Sequence, residues 1–261
     1  MNNTSQIKSF FEYLPACIKF HKLKNEGMAR LIFVLVLFCQ LVSSYVQYRI
    51  LNSLSSDDLE ALFSKLLMGS VASSKDIVEL PQNVIYLMLI LLGTVLLAKL
   101  VSNLFLSVYM YSYLSELRGK PTGYIACFKG TFKHMGRLIF YNIIFGILVL
   151  IGSMILIIPG IIAYAIFAFG YCYILDLKLN IADAMTACNE ITKGKKTQVI
   201  SVFIGFFLLL KMPIILLLSG GDLGTAFIAC FFTSITSLIL QRLITRVYMD
   251  LEYKKESKTI R

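Results

Sequence analysis

Lys99 falls well inside an otherwise apolar stretch, Gln82–Ser115, and Ser102, Asn103 and Ser107 follow it at helical spacing. On a helix these four polar side chains share one face. A second stripe, Ser234, Ser237, Gln241 and Thr245, runs along the last apolar segment, with Arg242 and Arg246 beside its end. Polar and ionisable groups inside a membrane helix are costly and tend to mark a pathway or a site. Together the two stripes are candidates to line a hydrated cavity, open to the cytoplasm, that takes a lipid or another amphiphile. The alternative is that Lys99 snorkels to the inner headgroups while the hydroxyls bond across helices. Lys211, near Pro213, is expected to snorkel outward, with Asp222 of the turn "SGGD" as its partner.

Nothing else in the chain points to catalysis. It carries no G-x-S-x-G elbow, P-loop, H-E-x-x-H or G-x-G-x-x-G motif. Its adjacent carboxylates, Asp57 and Asp58, suit a helix N-terminus. The six cysteines show no metal spacing, and the two histidines, His21 and His134, are far apart. No cofactor and no metal is therefore expected, and an enzyme is the last choice.

The elements that must position these residues are membrane spans. Of the 261 residues, 57% are hydrophobic and 15% charged, against about 45–50% and about 25% in soluble domains. The uncharged run Leu138–Leu175 holds 38 residues. As one helix it would reach roughly 57 Å, while the hydrocarbon core is about 30 Å thick. It must fold back on itself. Pro159 interrupts the helical hydrogen bonding and Gly160 permits a tight reversal, so the predicted turn lies there, between antiparallel spans. The whole chain then reads as one all-α integral membrane domain with six transmembrane helices, near 30–50, 83–108, 137–157, 160–176, 197–218 and 223–245.

The net charge of +10 is distributed in loops rather than over one soluble face, which argues for a membrane protein and against nucleic-acid binding. Alternate loops and the two ends hold 20 of the 25 basic residues, which predicts that both termini are cytoplasmic. The loop between the first two spans is acidic and is expected outside. Within it, Leu59, Leu62, Phe63, Leu66 and Leu67 have the spacing of a short amphipathic helix.

Three further amphipathic stretches precede alternate spans and suit the headgroup region, "IKSFFEYLPACIKFHKL", "GYIACFKGTFKHMG" and "NIADAMTACNEITKG". The first two share text: Ala16-Cys17-Ile18-Lys19 with Ala126-Cys127-Phe128-Lys129, and "MARLIF" at Met28 with "MGRLIF" at Met135. The third keeps Ala187-Cys188. Three repeated units, each an interfacial helix plus a helical hairpin, or chance likeness between greasy segments, are the two readings.

The segment "LIIPGIIAYAIFAFGYCYILD", Leu156–Asp176, followed by "IADAMTACNEITKGKK", resembles the signature of the YciC-like bacterial inner-membrane proteins, a group related to the membrane domain of some glycerophosphodiester phosphodiesterases. The order of features agrees, down to a last span ending in Arg246–Met249. The resemblance implies a bacterial cytoplasmic membrane and a six-span bundle. It implies no activity, because the phosphodiesterase catalytic domain is absent. The expected function is non-enzymatic: binding or moving a lipid or other amphiphile, or supporting envelope homeostasis, with membrane lipids as partners. The alternatives are an accessory subunit bound to a membrane-protein partner, and protection against a membrane-active peptide.

Overall fold

The structure, a computed structural model, describes residues 7–24, 26–53, 82–155, 157–217 and 223–259. The amphipathic helix expected around Leu59–Leu67 and the Lys211 partner expected at Asp222 lie outside the described residues. The described residues are helical, and six helices are long and apolar enough to cross a bilayer: Gly27–Ile50, Ile85–Leu117, Met135–Met154, Ile158–Asp176, Lys196–Leu216 and Gly224–Glu252. The chain is thus a multi-pass membrane protein. Spans two and six run further than the sequence suggested, and Tyr109, Tyr113 and Tyr248 are fully buried near their ends.

In chain order the elements are α1 (Phe10–Ile18), α2 (Glu26–Ser53), α3 (Gln82–Leu117), α4 (Tyr124–Phe132), α5 (Met135–Ile155), α6 (Ile157–Phe167), α7 (Gly170–Asp176), α8 (Ile181–Thr192), α9 (Lys196–Phe206), α10 (Met212–Leu217) and α11 (Leu223–Thr259). A single π-helical turn, Phe207–Lys211, joins α9 to α10. The order is short helix, span, span, repeated three times. Each short helix packs on the second span of the unit before it: α4 on α3, α8 on α6 and α7, and α1 on α11, which closes the ring. Cys17, Cys127 and Cys188 are each buried on the inner face of one of these three short helices. Four residues beyond the cysteine, Thr131 and Thr192 each donate to the cysteine carbonyl, at 3.0 and 2.8 Å. The third unit therefore matches the second more closely than the Ala-Cys pair alone implied. Burial pushes the Cys17 thiol up to about 11, against the opposing pull of Arg246 and Arg242. Burial pushes Cys188 up to about 12. These thiols are packing groups.

The hairpin of spans three and four is present, but its reversal is not at Pro159-Gly160. Helix α5 ends at Ile155 and α6 begins at Ile157, so both residues sit in the first turn of α6. Proline is harmless there, since a first-turn amide has no intrahelical partner to lose. Gly160 serves close approach: a Cβ on Gly152 would lie 3.1 Å from the Gly160 Cα, so the two helices meet backbone to backbone.

Span four breaks at Ala168–Phe169, between α6 and α7. The break frees backbone carbonyls inside the hydrocarbon, where water cannot satisfy them. The hydroxyl of Tyr141, fully buried on span three, donates to the Phe167 carbonyl. Gly170 makes room for that ring, because a Cβ there would sit 1.9 Å from the Tyr141 oxygen. At the end of the bundle that holds the chain termini, Arg118 pairs with Asp176 at 2.6 Å and Tyr248 donates to the same carboxylate at 3.0 Å, joining spans two, four and six. Tyr13 donates to Asp250 at 2.7 Å and pins α1 to α11. Apolar side chains such as Phe38, Leu96, Leu97, Ile147 and Leu150 remain exposed around the outside, as contact with lipid tails requires.

Gly170→Ala is expected to displace Tyr141 and cost about 1–3 kcal/mol, the usual cost of overpacking. Gly146→Ala, where nothing lies within 4 Å, is expected to leave stability unchanged. Thermal unfolding of both variants in detergent checks the contrast, and equal melting temperatures would show that the Tyr141 contact is dispensable.

Candidate functional site

Spans one, two, five and six border a half-open cavity of about 520 Å³, within the roughly 300–1,000 Å³ typical of small-molecule sites. Span two supplies Val95, Ala98, Lys99, Ser102, Asn103 and Leu106, and span six supplies Ala226, Ala229, Cys230, Thr233 and Ser237. Span one contributes Gln40, Ser43, Ser44 and Gln47, and span five contributes Lys211. Of the residues singled out in the sequence, Lys99, Ser102, Asn103 and Ser237 therefore line one space.

The other predicted residues, Ser107, Ser234, Gln241, Arg242, Thr245 and Arg246, are not part of this lining. Ser107 donates to the Asn103 carbonyl at 2.8 Å and Thr245 to the Gln241 carbonyl at 2.7 Å. Ser234 is buried behind the wall, donating to the Cys230 carbonyl at 2.8 Å and reaching Gln40 Oε1 at 3.2 Å. Arg242 and Arg246 lie further along α11. The Arg242 guanidinium sits 4.3 Å above the Tyr113 ring and donates to the Lys22 carbonyl at 3.2 Å. Arg246 Nε donates to the Tyr113 hydroxyl. From Ser237 to Arg246 a helix climbs roughly 13 Å, so the second stripe leaves the cavity and enters a packed aromatic cluster.

The cavity's place along the bundle also differs from expectation. Its lining comes from the late part of spans one and five and the early part of span six. That is the half nearer residues 54–81 and 218–222, away from the termini. Side chains tilt toward the N-terminus of their own helix. For Lys99 on span two that direction is the same far half, and for Lys211 on span five it is back toward the bundle centre. The two lysines border the same cavity, and Lys99 acts on Lys211 as a like charge.

Two features were missed by sequence reading. The polar stripe of span one, Gln40, Ser43, Ser44 and Gln47, has the i, i+3, i+4, i+7 spacing of a helix face. That signal was legible in the same way as the stripe on span two. Asn142 on span three was less visible, being a lone amide in an apolar run. It accepts from Asn103 Nδ2 at 3.0 Å and from the Tyr171 hydroxyl at 2.8 Å, so it ties spans two, three and four behind the cavity. The π turn has a cause in the sequence too. Pro213 has no amide to give to the preceding turn, and the widened turn, with Met212 N–H reaching the Phe207 carbonyl, ends at Lys211.

Fold and site together define a class, a helical multi-pass membrane protein with a half-open cavity of mixed polar and apolar lining between its spans. No family model, no curated protein and no solved structure matches the chain.

The site and its scaffold are separable by mutation. Asn142→Leu removes the acceptor of two interhelical bonds and is expected to cost about 1–3 kcal/mol, at roughly 0.6–1.7 kcal/mol per bond in membranes. Lys99→Gln relieves a repulsion inside the cavity and is expected to leave the melting temperature unchanged or slightly higher. A large drop for Lys99→Gln in a thermal-shift measurement would mean that the lysine is part of the scaffold.

Proposed function

We propose that this protein binds an amphiphile in the cavity between spans one, two, five and six, and that it is not an enzyme. The observation that carries this reading is the chemistry of the lining. It combines hydroxyls, amides, a thiol and two ammonium groups with the apolar walls of Val95, Ala98, Leu106, Ala226 and Ala229. A lining that mixes polar groups with hydrocarbon fits a molecule that carries both. A cavity that served only packing would waste the cost of placing such groups inside the bilayer.

The resemblance of Leu156–Asp176 to the YciC-like proteins, together with the basic loops, supports a bacterial cytoplasmic membrane with both termini in the cytoplasm. In that orientation the cavity belongs to the outer half of the membrane. The short helices α1, α4 and α8 would then lie at the inner headgroups, where Phe11, Ile18, Ile125 and Phe132, exposed on the first two of them, reach the acyl boundary.

Native mass spectrometry of the protein extracted in mild detergent tests the binding. A retained amphiphile of defined mass is expected. A retained protein partner with no amphiphile would instead favour the accessory-subunit reading, and a bare monomer would contradict both.

A further inference from the structure

We propose that the cavity selects an amphiphile whose head is an anion, a phosphate or carboxylate held between Lys99 and Lys211; this rests on the amphiphile reading above and adds its charge. Both lysines line the one cavity, and among the described residues no carboxylate lines it. Lys99 is exposed and Lys211 half-buried, and two like charges bordering one space repel one another until an anion lies between them.

Hydroxyl donors are placed to complete such a site. Ser102 Oγ is buried and has no hydrogen-bond partner among the described residues, with only the weakly polar Cys39 thiol beside it. Ser43 Oγ accepts from Gln47 Nε2 at 3.0 Å, which leaves its own proton free to give. The backbone cooperates, since the π turn caused by Pro213 ends at Lys211 and presents it to the cavity. The lining thus brings two ammonium groups and two hydroxyls to one cavity. That set recognises tetrahedral or planar oxyanions and offers little to a choline-type cation. The apolar wall beside it, Val95, Ala98, Ala226 and Ala229, would take the first carbons of an acyl chain.

The test uses the purified, delipidated full chain with three probes: dioleoyl phosphatidylglycerol, dioleoyl phosphatidylcholine and inorganic phosphate. Each is titrated against the native protein, Lys99→Gln, Lys211→Gln and the double variant Lys99→Arg with Lys211→Arg. Melting temperatures confirm that each variant is folded. The glycerol lipid is expected to bind at least about tenfold more tightly than the choline lipid. Each glutamine variant should lose about tenfold, the worth of one charge-assisted hydrogen bond, while the arginine pair retains binding. Phosphate alone displacing the glycerol lipid through the same lysines would support the anion site and make a soluble anion the source of the ligand. Equal binding of both lipids, unaffected by either glutamine variant, would overturn the charge selectivity and leave the amphiphile reading standing. Failure of both lipids to bind would overturn the two together.

Discussion

Hydrocarbon offers a helix nothing to hydrogen-bond with, so each interruption of a span has to be satisfied by the protein itself. Spans four and five are both interrupted, and the rest of the bundle is arranged around that fact. In span four the break at Ala168–Phe169 calls Tyr141 inward, which in turn requires glycine at 170. In span five Pro213 removes a donor, and the chain answers with a π turn that closes on the Phe207 carbonyl. One interruption builds core and the other presents a charge. They differ in what stands opposite: a fully buried tyrosine in the first case, the polar faces of spans one, two and six in the second.

The same constraint divides the polar residues into two populations. Most hydroxyls inside the spans return their proton to a carbonyl of the preceding turn, as Ser107, Ser153, Thr236, Ser237 and Thr245 do. They are thereby made nearly apolar. The remainder, with Lys99, Lys211, Ser102 and the span-one amides, gather around one space. Ser237 belongs to both, bonded backward to the Thr233 carbonyl while one side faces the cavity. At the termini end, arginine, tyrosine and carboxylate side chains satisfy one another and clamp α1 and the ends of spans two, four and six. A hydrogen-bonded end and a cavity in the other half are the two parts of the molecule.

Helix length and hydropathy made the six spans legible in the sequence, and the 38-residue run forced the hairpin by arithmetic alone. The position of the reversal was not legible, because a Pro-Gly pair is equally at home in a turn and in the first turn of the next helix. Lys99, Ser102 and Asn103 could be placed on one face by period, but a period carries no information about which neighbour that face meets. Hence span one went unnoticed as a wall. Arg242 and Arg246 looked like an extension of the polar stripe, while in space they serve Tyr113. Lys211 was placed by depth alone, and in space it borders the same cavity as Lys99. The repeated unit was visible as text in two copies, and the third shares with the second a threonine four residues beyond its cysteine, Thr131 and Thr192.

The central claim is that an amphiphile occupies the space between spans one, two, five and six, distinct from the lipid that surrounds the bundle. Photo-crosslinking in bilayers tests it most directly, using a phosphatidylglycerol with a diazirine on the first carbons of one acyl chain and peptide mapping of the adducts. The account predicts adducts on the walls of the cavity, at Val95, Ala98, Leu106, Ala226 or Ala229. Adducts confined to outward-facing residues such as Leu96, Leu97, Ile147 and Leu150 would contradict it.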